Sequence, residues 1–192
     1  MGREIRRADP EPGDHPLIFT PTTIPGACVV DLAPNVDERG FFARSWCADE
    51  FTRNGLEPRL VQCNVSFNRH RGTLRGLHYQ ADPHPEAKLV RCTRGAIFDV
   101  VLDLRRDTPT YLRWFGVELT ADNHKALFVP AGCAHGFQSL TDDSEVLYHM
   151  SAVYHANLAR GVRWNDPAFG IRWPLPDPIL SPKDAAYPDF TP

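Results

Sequence analysis

Along most of the chain, apolar and polar residues alternate with a period of two in short runs, and Gly, Pro, Asn and Asp separate one run from the next. Such a pattern predicts β-strands joined by turns. In residues 96–104 (AIFDVVLDL), Phe98, Val100, Leu102 and Leu104 share one face while Asp99 and Asp103 share the other. That strand is expected to set one wall in a core and the other against something polar. Phe115, Val117 and Leu119 alternate with Gly116 and Glu118 in the next, and residues 145–154 supply another. Repeated short strands of this kind point to an all-β sandwich or barrel. Helix is a minority. Its clearest candidate is 48–54 (ADEFTRN), with acids in the first turn and Gly55 as a stop, packed on the barrel. Residues 1–16 read as a flexible N-terminal segment and 17–192 as one domain, ending in a Pro-rich extended stretch from Trp173.

With 192 residues, a single globule hides roughly 70% of the surface of its unfolded chain and needs no staples. The 21 Lys and Arg against 24 Asp and Glu give a net charge of −3, so no basic face for nucleic acid is expected. An anionic ligand must then be met by a few placed cations. The cysteines (Cys28, Cys47, Cys63, Cys92 and Cys133) are scattered and form no CxxC pair, which argues against a disulfide framework and against structural zinc. No signal-peptide core and no membrane-length apolar run is present, and a cytoplasmic location is expected.

Four clusters exceed what local propensity explains. Residues 71–80 (RGTLRGLHYQ) bring arginines, glycines and His78 together, although a hairpin bent at its glycines with a hydrogen-bonded core histidine accounts for them equally well. Residues 129–137 (VPAGCAHGF) set His135 among small neighbours that leave room beside an imidazole. The other two are Asn165-Asp166-Pro167 and Ser181-Pro182-Lys183-Asp184, the latter a charged pair in an otherwise featureless tail.

The ordered blocks RGxLRGLHxQ (71–80), KLVRxxxGxxxDVxxDLR (88–105), PxGxAHGF (130–137), LY (147–148), WNDPxxGIxWP (164–174) and LSxKDxxxP (180–188) resemble the dTDP-4-dehydrorhamnose 3,5-epimerase family. The resemblance covers about 18–188. It implies a cupin-like jelly-roll β-barrel or sandwich with a few short peripheral helices, usually a homodimer, that binds a nucleotide-diphospho-4-keto-6-deoxyhexose without metal or other cofactor. It assigns His78 as the base paired with Asp184, Tyr148 as the opposing acid, and Lys88 as the cation near the C4 oxygen. For Tyr148, a tyrosine packed in the core is the alternative. It carries substrate contacts to Arg39, Gln62, Asn64, Arg75, His135, Tyr154 and Lys183. The usual metal pattern of cupins, two histidines one residue apart with a nearby acid and a later histidine, is missing. Departures from the family pattern are Arg44 for a Glu, Cys63 for an Asp, His149 for a Lys and Val153 for a Tyr, with Ala159 in or near the place of another Glu. They keep open a single-carbon epimerase or a CDP-linked substrate. A non-catalytic sugar-nucleotide-binding cupin is the alternative of another class.

Overall fold

A computed structural model of the protein describes residues 15–191, so residues 1–14 of the segment expected to be flexible lie outside it. In chain order the first strands are β1 (Ile18–Pro21), β2 (Cys28–Asp31), β3 (Asn35–Asp37) and β4 (Gly40–Phe42), followed by helix α1 (Ala48–Arg53). Next come β5 (Gln62–Asn68), β6 (Leu74–Gln80), β7 (Lys88–Arg94), β8 (Ala96–Asp103) and β9 (Trp114–Thr120). The last are β10 (Ala126–Val129), β11 (Cys133–Ser139), β12 (Ser144–Met150), β13 (Ala159–Gly161) and helix α2 (Pro182–Ala185). One sheet has the order β1-β2-β10-β7-β12-β5 and the other β13-β6-β11-β8-β9, while β3 and β4 form a separate hairpin. The pairings within both sheets are antiparallel, and the sheets pack face to face as the sandwich that the alternation led us to expect, in the jelly-roll form that the resemblance implies.

Three apolar clusters follow from the period of two. Val29, Val90, Leu127, Val129 and Val146 of the larger sheet meet Ile97, Val101, Leu119 and Phe137 of the smaller one. Alternate residues of the larger sheet, Cys28, Val30, Leu89, Ala126 and Phe128, point outward and are covered by α1. Phe51 of that helix is 1% exposed and stacks edge-on against Phe19 at 5.2 Å and Phe128 at 5.8 Å. Burying such a ring contributes about 1.5–3 kcal/mol, which fixes a six-residue helix too short to stand alone. It ends as its sequence predicts. Gly55 takes φ +72°, the Gly55 N–H donates to Thr52 O at 3.0 Å, and the Leu56 N–H donates to Phe51 O at 2.9 Å.

The third cluster revises the reading of residues 96–104. Val100 and Leu102 are covered by Phe169, Ile171, Trp173 and Phe190, so the C-terminal stretch closes over the outer face of the smaller sheet. Ile97 and Val101 join the central core, and Asp99 and Asp103 lie buried on that same inner side. The strand therefore has two buried faces, one of which carries two carboxylates. Asp103 accepts hydrogen bonds from Arg105 Nε (2.8 Å), Thr108 Oγ1 (2.9 Å) and Thr110 Oγ1 (2.6 Å). Burial alone would raise its pKa, but these donors outweigh it and hold the carboxyl below the usual carboxylate range. A group with a depressed folded pKa adds stability that is complete above its unfolded value, near ~3.9, and is lost as pH falls through the folded value. Asp103→Asn is thus expected to cost about 2–3 kcal/mol at pH 7, allowing for the partly solvated Arg105. In urea titrations the gap between variant and wild type should narrow below about pH 4; equal stabilities at pH 7 would refute the account.

Within residues 71–80, Arg71 and Gly72 make a turn and Leu74–Gln80 run on as strand β6, so no hairpin closes within the segment. Gly76 sits inside β6 with φ +123°, and a Cβ there would stand 2.7 Å from Gly136 Cα. This contact lets β6 and β11 approach where their register shifts between His135 and Phe137.

Candidate active site

Between the sheets opens a cavity of about 410 Å³, the size of a small-ligand site. The larger sheet contributes Asn64, Ser66, Lys88, Tyr148 and Met150, and the smaller one Arg75, His78, Gln80, His135 and Arg160. In the larger sheet these are the side chains that alternation turns inward; in β6, Arg75 and His78 are three residues apart and both reach the cavity because the alternation breaks at Gly76. The tail supplies Ser181, Lys183 and Asp184.

The tail reaches the cavity by local rules. Leu74 N–H donates to Ile179 O (2.9 Å) and Ile179 N–H to Gly72 O (3.0 Å), which lays the chain beside β6. Ser181 then caps α2, its Oγ accepting from Asp184 N–H at 3.1 Å, with Pro182 at the first helical position. The single turn delivers Asp184, 4% exposed, to His78: Asp184 Oδ1 lies 2.6 Å from His78 Nε2. Burial pushes the Asp184 pKa up, yet the hydrogen bond and charge of His78, with Ser181 and the Gly76 backbone, bring it below the usual range. An ionised carboxylate only accepts, so the proton between them belongs to the imidazole, and in the neutral ring the lone pair falls on the other nitrogen.

His78 and His135 are cross-strand neighbours on β6 and β11. His135 Nε2 lies 2.7 Å from Asp99 Oδ1, both side chains being buried. Complete burial raises the Asp99 pKa against the pull of His135 and Lys88, and the second oxygen, Oδ2, has no hydrogen-bond partner among the described residues. Tyr148 meets His135 edge-on at 5.8 Å. Burial first, then the charge of Asp99, push its phenol above the ordinary value, with Arg75 opposing. It stays protonated throughout the neutral range. Lys88 Nζ donates to His78 O at 3.1 Å and stands 3.2 Å from Glu86 Oε1.

Nine of the eleven residues singled out from sequence line this one cavity: His78, Asp184, Tyr148, Lys88, Asn64, Arg75, His135, Tyr154 and Lys183. Gln62 stands beside it, donating to Asn64 Oδ1 and accepting from Tyr154 N–H, each at 3.1 Å. Arg39 is elsewhere, on the exposed β3–β4 hairpin and paired with Asp37. Arg44 lies outside the cavity lining too, in an ion pair with buried Glu50 of α1. Sequence reading missed Glu86, Arg160 and the pairing of Asp99 with His135. Glu86 sits in an irregular stretch and Arg160 in the three-residue strand β13, too short for periodicity, and no motif marks either. Among the described residues no three His, Cys, Asp or Glu side chains group as metal ligands would.

A family model described as dTDP-4-dehydrorhamnose 3,5-epimerase matches residues 21–191. A dTDP-4-dehydrorhamnose 3,5-epimerase of Sinorhizobium fredii is 46% identical over 155 residues, 80% of either chain. The crystal structure of the enzyme so named from Bacillus anthracis, with TDP and PPi bound, superposes with a TM-score of 0.87 at 40% identity, covering 91% of this chain and all of that one. A 3'-monoepimerase from Streptomyces bikiniensis in complex with dTDP-quinovose superposes with a TM-score of 0.81 at 35% identity, covering 88% and 86%.

Proposed function

The chain belongs to the dTDP-4-dehydrorhamnose 3,5-epimerase family, and from that premise we propose that it inverts C3 and C5 of a dTDP-4-keto-6-deoxyhexose in this cavity. The observation that carries the reading is the His78–Asp184 pair, delivered by two distant segments to one wall while Tyr148 stands on the other sheet. The 4-keto group acidifies the neighbouring C–H bonds. His78 takes the proton from carbon, the electron pair moves to the C4 oxygen as an enolate, and the Lys88 ammonium stabilises the charge there. Tyr148 returns a proton from the opposite face, which inverts the centre. Solvent at the cavity mouth then restores both residues.

Arg75, Arg160 and Lys183 support a diphosphate-bearing ligand. They line the cavity with no carboxylate in ion-pair range among the described residues. Arg75 Nε donates to Asn68 Oδ1 at 2.8 Å, which aims its fork. The two paired carboxylates, Glu86 and Asp184, leave these three charges for the ligand.

A homodimer is part of the same proposal. Edge strand β5 and its approach expose Val61, Val65 and Phe67, and the hairpin exposes Val36, Phe41 and Phe42, surfaces that chains ordinarily cover. Arg39 does not line its own chain's cavity, so a nucleotide contact from it would be made across such an interface. The cytoplasmic setting expected from the scattered cysteines belongs here as well, and no helix of the described residues is long and apolar enough to cross a membrane.

The test is proton NMR of dTDP-4-keto-6-deoxyglucose with the protein in deuterated water. Loss of both the C3 and the C5 signal is expected. Loss at one carbon would select the single-centre reaction that the likeness to a 3'-monoepimerase favours, and no exchange would refute the dTDP assignment.

A further inference from the structure

Glu86 stands in the cavity wall without a role in the chemistry described so far. It is 8% exposed, lies in the irregular stretch between β6 and β7, and has Lys88 as its polar side-chain partner, with Oε1 3.2 Å from Nζ. Lys88 is itself 5% exposed and also donates to His78 O at 3.1 Å. An ammonium has three N–H donors arranged tetrahedrally. One is given to a fixed oxygen of the very residue that carries the base, and the Glu86 carboxylate holds the ammonium from a second side as an ion pair. Held from these two sides, the ammonium lines the cavity.

We propose that Glu86 is a positioning residue: its ion pair with Lys88, together with the hydrogen bond from Lys88 to His78 O, fixes the ammonium so that it meets the C4 oxygen where the enolate charge develops. A lysine side chain has four rotatable bonds and by itself would sample many placements of its charge. Electrostatic stabilisation of a transition state depends on donors fixed in advance, so a freely turning ammonium in the same cavity is worth less. The carboxylate serves a second end. It neutralises a buried cation that would otherwise be costly in the empty site. The price is a slightly weaker cation, which the gain in aim outweighs.

The inference rests on the proposed epimerase reading and is tested beside it. Wild type, Glu86→Ala and Glu86→Gln are compared for kcat and KM on dTDP-4-keto-6-deoxyglucose, for dTDP affinity by calorimetry, and for thermal unfolding. Glutamine keeps an acceptor oxygen at the right reach, so it should retain the aim of Lys88 and fold where alanine is strained. Expected is a kcat lowered about 10–100-fold in Glu86→Ala with KM and dTDP affinity within about three-fold, and at least a ten-fold recovery in Glu86→Gln. A loss confined to KM, a kcat unchanged in Glu86→Ala, or a folded Glu86→Gln as slow as the alanine variant would each overturn the positioning role. Failure of the wild type itself to turn over the sugar would instead overturn the substrate reading, so the two failures are told apart.

Discussion

Replacing His78 by alanine is expected to lower proton exchange at both carbons by at least about 10³-fold, because no other group on that wall can serve as the base. His135, its cross-strand neighbour, is buried and committed to Asp99. Asp184→Asn is expected to cost about 10²–10³-fold with the fold intact. An amide can donate to the imidazole as well as accept, so it no longer fixes which nitrogen carries the proton. Because burial is overcome by the His78 and Ser181 contacts, Asp184 remains charged through the neutral and mildly acidic range, the state that holds the base ready. The double variant should be no slower than His78→Ala alone, as groups acting as one unit are not additive. Exchange is followed by NMR in deuterated water, with dTDP affinity as the control for an intact site. A His78→Ala enzyme retaining a tenth of the wild-type exchange rate would sink the assignment.

The strands were legible because a two-residue period is strong wherever one face meets a core, as in β9 and β12. Where both faces are buried the signal is ambiguous. Residues 96–104 looked half-polar, yet Phe169, Trp173 and Phe190 cover the face opposite Ile97 and Val101, and the two aspartates are interior groups with their own donors. No local pattern announces a cover supplied by residues some seventy to ninety positions later. Of the glycines in 71–80, Gly72 does sit in a turn, but Gly76 misled for a related reason. Gly76 allows close approach to Gly136, a contact between distant strands, and the sequence shows only a bend former. At the site, His78, Tyr148 and Lys88 were marked by motif, and Asp184 by a charged pair out of place in its tail. Glu86 and Arg160 became visible only in space. Arg39 shows the converse: the resemblance gave it a substrate contact, but a single chain holds it on an exposed hairpin away from the cavity lining.

Tyr148→Phe should separate two events that His78→Ala abolishes together. His78 and Tyr148 stand on different sheets, and Lys88 remains in place to stabilise the enolate, so removal of the carbon proton should continue in the variant. Deuterium would then return from the His78 side with retention, while inversion falls about 10²–10⁴-fold for want of a donor on the other face. The phenol suits that task because burial and Asp99 keep it protonated where a more acidic group would have ionised. Phenylalanine preserves the ring against His135, so the packing that places both is kept. The measurement follows C3 and C5 exchange and the configuration of the product in one NMR time course. Inversion within ten-fold of wild type would remove Tyr148 from the mechanism. Exchange and inversion falling by the same factor would place it in proton removal, on the same side as His78, and would leave the opposite face without an identified acid.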